Sequence, residues 1–208
     1  MSKLNPPLPL GYSPVGPARL ANVVTCLEMT RRPAQRATRG FPAPYELARI
    51  EHMDIAGYRA LFRTVGENWM WFSRLIMPDD ELRGILGDRR VELYVLRAGP
   101  ADAGMLELDF REAGQCEIAF FGLVADAIGQ GLGRALMEAA IARAWAKPIE
   151  RLCVHTCTFD HPSAVGFYIR SGFRPYAYQV EVQADPRLTG HLPRTAAPHI
   201  PLIDEGGT

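Results

Sequence analysis

"IGQGLGRALMEAA", residues Ile128–Ala140, sets glycines at 129, 131 and 133 directly ahead of an alanine-rich run. An apolar segment ending at Val124 precedes it, so the order reads strand, short connection, glycine turn, helix. A helix start leaves its first N–H groups unpaired and carries partial positive charge. Glycines at alternate positions let successive N–H groups converge on a pyrophosphate without Cβ clashes. A Walker A loop is excluded, because Gly133 is followed by Arg134-Ala135 rather than Lys-Ser/Thr. A dinucleotide fingerprint would need glycine at 134 and a place on the first strand of a βαβ unit. A tight glycine turn with no ligand fits the same residues.

Upstream of the loop, 91–98, 104–112 and 115–124 predict three strands joined by short turns, an antiparallel meander. Further upstream, 19–29 is compatible with a first strand and 45–51 with a second. Asp54 is placed to cap a helix carrying Tyr58, Leu61, Phe62 and Val65 on one face. Residues 78–88 open with proline and acids and predict another helix. Downstream, the helix after the glycines runs over 131–146 and Pro148 stops it. A strand over 151–159, a helix over 161–172 and a strand over 173–183 follow. The element order is therefore β, β, α, α, β, β, β, α, β, α, β, a mixed α/β class. Residues 1–17 are proline-rich, 31–44 form a basic loop, and the chain after 183 has no clear period.

Two motifs in order carry a resemblance. Ile128-Gly129-Gln130-Gly131-Leu132-Gly133 resembles motif A of the GNAT superfamily of acyl-CoA-dependent N-acyltransferases, Arg/Gln-x-x-Gly-x-Gly/Ala after a strand. Ile128 departs from it, since the family usually has Arg or Gln there. "HTCTFDHPSAVGFYIRSGF" resembles the second signature, with Ala164, Phe167, Tyr168, Gly172 and Phe173 in register and His161 where the family often has Asn. The match covers about 45–182. It implies a GNAT-like α/β domain over 45–183 with a mostly antiparallel central sheet flanked by helices. That sheet is expected to splay between its fourth strand (115–124) and its fifth (151–158). Residues 1–44 would form an N-terminal extension and 184–208 a tail packed on the domain or a partner.

The resemblance further implies acetyl transfer from acetyl-CoA to an amine. Tyr168 matches the tyrosine beside the CoA sulfur and is cast as general acid, its phenol being protonated at neutral pH. Glu117 stands where the family often has the base, and half-burial would raise its pKa toward use. An exposed strand glutamate and a core tyrosine are the alternative readings. Backbone groups of Leu123 and Val124 would pair with the pantetheine arm. The loop residues Ile128, Gly129, Gln130, Gly131, Leu132, Gly133 and Arg134, with His161 and Phe167, complete the expected CoA site. The acceptor pocket is expected in "ENWMWFSRLIM" (67–77). There Trp69, Trp71 and Phe72 would wall an aromatic or cationic acceptor and Arg74 would hold a carboxylate. Core packing explains those aromatics equally. Glu107 and Asp109 alternate on the preceding strand and are reserve bases or substrate contacts.

Composition narrows the partners. Lys plus Arg and Asp plus Glu each number 23, so no global field draws nucleic acid or an anionic membrane. No apolar run spans a bilayer and the first residues lack a signal-peptide h-region. The four scattered cysteines read as reduced thiols, and a cytoplasmic location is expected. No metal is expected. Cys153, His155 and Cys157 share a strand face with His161 nearby, but alternate strand positions sit about 6–7 Å apart, awkward for tetrahedral zinc. A non-catalytic CoA-binding regulatory module stays open. The expected partner is a small-molecule amine or peptide acceptor, and a homodimer is left open.

Overall fold

A computed structural model describes residues 5–33 and 40–204. Residues 34–39 of the basic loop, the first four residues and the last four lie outside the described ones. Among the described residues seven strands and five α-helices form: β1 Arg19–Met29, β2 Tyr45–Ile50, α1 Ile55–Gly66, α2 Ser73–Ile76, α3 Asp79–Leu86, β3 Val91–Ala98, β4 Ala101–Asp109, β5 Gln115–Leu123, α4 Leu132–Ala144, β6 Arg151–Cys157, α5 Ala164–Arg170 and β7 Arg174–Ala184. Short 3₁₀ turns occupy Glu67–Trp69 and Ala125–Ala127.

Local chemistry accounts for the boundaries. The Asp54 carboxylate accepts a hydrogen bond from Gly57 N–H at 2.7 Å and starts α1, whose Tyr58, Leu61, Phe62 and Val65 are buried. β4 ends at Asp109 rather than 112, because the Asp109 carboxylate accepts from Arg111 N–H at 2.9 Å and turns the chain. α2 has only four residues, too few for any periodic signal.

All seven strands join one sheet in the order β2-β3-β4-β5-β6-β1-β7. Every neighbouring pair is antiparallel except β5 with β6. The expected α/β class with a mostly antiparallel sheet is what forms. β1 crosses the molecule to pair with β6 on one side and β7 on the other, a position that local pattern does not reveal. One sheet face packs Leu106, Leu108 and Ile118 against Leu136 and Met137 of α4 and Tyr168 of α5. The other packs Val95 and Met105 against Tyr58 and Phe62 of α1 and Leu82 of α3. A third cluster joins Leu20, Met70 and Phe159 to Leu192, Ala197 and Ile200 of the C-terminal segment.

The sheet opens where β5 and β6 meet. Their parallel pairing covers only Gln115–Glu117 against Arg151–Cys153. Beyond it β5 carries a bulge: Glu107 faces Phe120 and Leu108 faces Ile118, leaving Ala119 unpaired. The strands diverge from there, as expected between the fourth and fifth strands of the 45–183 segment.

Candidate active site

A cleft of about 530 Å³ fills the gap between β5 and β6. Its walls include Ile118–Leu123 of β5, Val154–Cys157 of β6, and Ala164, Phe167 and Tyr168 of α5. Trp69, Trp71 and Phe72 also line it, as do Ile128 and Gly133 of the glycine loop. β1 and β7 add Asn22, Val24, Glu181 and Gln183.

The glycine loop has the conformation its spacing requires. Gly129 and Gly131 sit at φ +86° and +78°, and a Cβ at either would meet no atom within 4 Å. Open space therefore lies before the first N–H groups of α4, which no helical carbonyl can reach. Gln130 secures the loop: its amide donates to the Asp126 carbonyl at 2.7 Å and accepts from the Tyr45 hydroxyl at 3.1 Å. Leu132 is fully buried with Leu96, Ala103 and Ala127, and Val124 packs beside them. The Arg134 side chain points along the outer face of α4 to Glu138 at 3.0 Å. Among these loop and strand-end residues, Leu123, Ile128 and Gly133 line the cleft, with His161 and Phe167 opposite.

Tyr168 is 7% exposed, ringed by Phe121, Phe167 and Phe173. Its hydroxyl makes no hydrogen bond to a described residue, and burial pushes its pKa well up. Glu117 lies behind the wall rather than on it. Its carboxylate holds Nδ1 of His155 at 3.1 Å, and His155 lines the cleft. A carboxylate only accepts, so Nδ1 carries the hydrogen and Nε2 keeps its lone pair in neutral imidazole. The hydrogen bond to Glu117 raises the His155 pKa against the opposing effect of burial.

The acceptor-side expectations divide. Trp69, Trp71 and Phe72 stand in the wall. Trp71 packs on Phe62 and Phe120 and donates to Asp160 at 3.3 Å. Asp160 also accepts from the Thr156 hydroxyl at 2.7 Å and Cys157 N–H at 2.9 Å. Arg74 and Glu107 do not reach the cleft; they meet each other at 2.6 Å in the interior, where Tyr58 also donates to Glu107 at 2.6 Å. Neither is free for substrate, because an interior charge keeps its partner. Asp109 is held by Arg111 at 2.6 Å. Among the described residues no three His, Cys, Asp or Glu side chains gather to hold a metal. Burial pushes the Cys157 thiol to about 11 and Cys153 to about 12, so neither is a thiolate near neutrality.

Sequence reasoning missed Asp160, Asn22 and Glu181, and the C-terminal segment. Asp185 and Arg187 form a buried pair at 2.8 Å, and Arg187 also donates to the carbonyls of Ile200 at 2.8 Å and Pro201 at 3.1 Å. This holds His199, which bonds the Phe159 carbonyl at 3.0 Å, beside Trp69. No periodic signal after 183 marks that clamp.

The model of the acetyltransferase (GNAT) family matches residues 58–173, more than half of the chain. The chain belongs to the GNAT acetyltransferase family. Solved GNAT structures share the fold at low identity. A GCN5-related N-acetyltransferase from Sphaerobacter thermophilus aligns with TM-score 0.58 and 17% identity over 83% of this chain and 53% of that one. One from Kribbella flavida aligns with TM-score 0.50 and 16% identity over 83% of this chain and 63% of that one. An aminoglycoside acetyltransferase from an uncultured soil metagenomic sample, in complex with trehalose, aligns with TM-score 0.51 and 19% identity over 62% and 87%. The chain thus spans less than two thirds of the first two proteins. A search of curated proteins returned no match. Among the described residues no helix is long and apolar enough to cross a membrane.

Proposed function

We propose that this GNAT protein transfers an acetyl group from acetyl-CoA to a primary amine, both bound together in the cleft. The observation that carries this reading is a cavity lined at once by Ile128 and Gly133, which flank the open glycine turn, and by Tyr168, whose hydroxyl bonds no described residue. The cradle suits a pyrophosphate: positive-φ glycines, open space and a helix N-terminus coincide. Backbone groups of Leu123 would hold the pantetheine arm beside it.

The donor supplies an acetyl thioester, to whose carbonyl the amine forms its new C–N bond as the C–S bond breaks. Tyr168 gives its proton to the departing sulfur; its raised pKa keeps it in the acid form. His155 lines the cleft and Glu117 does not, so we assign His155 to take the proton from the amine. Glu117 is the positioning residue that fixes the ring and supports its positive charge. Trp71 and Phe72 exclude water from the acceptor end.

The test is thiol release from acetyl-CoA across a set of primary amines. Amine-dependent release well above background hydrolysis is expected. Tight acetyl-CoA binding with no amine-dependent release would refute transfer and leave a CoA-binding regulatory module.

A further inference from the structure

We propose that the acceptor end of the cleft selects a small cationic amine with an apolar or aromatic body and no carboxylate. This rests on the acetyl-transfer reading above and names its substrate class. Three observations converge on it.

The first is charge. Asp160 and Glu181 line the cleft, and Glu117 stands behind His155. None of the described lining residues is Lys or Arg. Arg74, the one cation that sequence places near the acceptor, is locked to Glu107 in the interior. A carboxylate brought in beside the amine would face Asp160 and Glu181 with no Lys or Arg among the described lining residues to balance it, whereas an ammonium meets opposite charge.

The second is the wall. Trp69 and Trp71 put aromatic rings in the wall, and Trp69 is flanked by the rings of His161 at 5.4 Å and His199 at 5.6 Å. Such faces attract a cation and cover an apolar body. The whole cleft is about 530 Å³ and must also admit the end of the donor, so the acceptor's body is small.

The third is Asn22. It is 2% exposed, and its Nδ2 donates to Glu181 at 2.9 Å. Glu181 can only accept, which fixes the amide orientation and leaves Oδ1 without a partner among the described residues. Glu181, exposed at the wall, only accepts, and beside it the buried Asn22 Oδ1 lacks a donor among the described residues; together they favour a donor, and an ammonium group has three.

The experiment titrates the full-length protein with phenethylamine and with phenylalanine, followed by tryptophan fluorescence, and repeats both in the thiol-release assay. Phenethylamine is expected to bind at least tenfold more tightly and to show at least tenfold higher kcat/KM. Glu181→Gln should weaken phenethylamine at least threefold with acetyl-CoA affinity unchanged, and Glu181→Arg should shift preference toward phenylalanine. Equal or tighter binding of phenylalanine would overturn the proposal, as would a preference that neither Glu181 variant alters. Failure of acetyl-CoA to bind would instead defeat the transfer reading, while the fluorescence titration would still decide the charge preference.

Discussion

Tyr168→Phe separates packing from chemistry. The ring touches Phe121, Phe167 and Phe173 at centroid distances of 6.3, 5.6 and 6.0 Å, and phenylalanine keeps all three contacts. The lost hydroxyl has no hydrogen-bond partner among the described residues, so its removal leaves no protein group unsatisfied. The change in stability should stay within about 0.5 kcal/mol. For a chain of this size that is a Tm shift of roughly 1–2 °C. The same hydroxyl is the assigned proton donor to the departing sulfur, and loss of a general acid costs about 10²–10⁴-fold in rate, or roughly 3–5 kcal/mol of barrier. Thermal melts and thiol-release kinetics of the two proteins measure both quantities. A variant keeping more than a third of wild-type kcat would refute the acid role. A Tm drop of more than about 5 °C would refute the premise that the hydroxyl is structurally idle.

Four further outcomes follow from the same geometry. The His155 pKa lies above its ordinary value because of Glu117. The charged pair therefore stabilises the fold below the ordinary histidine range, and that contribution disappears as pH rises through the raised value. Wild type should melt higher than Glu117→Gln at about pH 5.5 and equally at about pH 9. In kinetics, kcat/KM should rise with pH through the raised value, and Glu117→Gln should move that rise to lower pH; a profile the variant does not move would count against the positioning role. Arg187→Ala strips a buried Asp185 of its partner and frees the segment holding His199. It should cost about 3–5 kcal/mol in denaturant melts and raise acceptor KM more than acetyl-CoA Kd, and equal effects on both would sink the link. Leu136→Ala, at a fully buried position between α4 and the sheet, should cost about 2–5 kcal/mol with kcat intact in the folded fraction.

The elements were largely legible because their signals are local. Asp54 before a helical stripe, alternation through 91–98, and glycines ahead of an alanine run each need only a window of a few residues. Partnership over long separations was not. β1 pairs with β7 across 159 residues at Asn22 and Glu181, and no local pattern records that choice. The same limit hid Asn22 and Glu181 from the site, since their strands reach the cleft only through the sheet order. Arg74 and Glu107 show the reverse error. Each has the chemistry of a substrate contact, but 33 residues apart they meet one another at 2.6 Å. Glu117 was expected as the base from the resemblance; that its carboxylate instead meets His155 Nδ1 at 3.1 Å follows from the neighbouring of β5 and β6, which no local pattern records.

The most direct test is calorimetric binding of acetyl-CoA to wild type and to Gly131→Trp. Gly131 sits at φ +78° with no atom within 4 Å of a Cβ, so the indole would project into the cradle while the left-handed backbone adds about 1–2 kcal/mol of strain. Micromolar binding by wild type, lost in a variant that still melts cooperatively, is the predicted result. No binding to folded wild type, or equal binding by both, would contradict a phosphate cradle at 129–134 and with it the acetyl-CoA site.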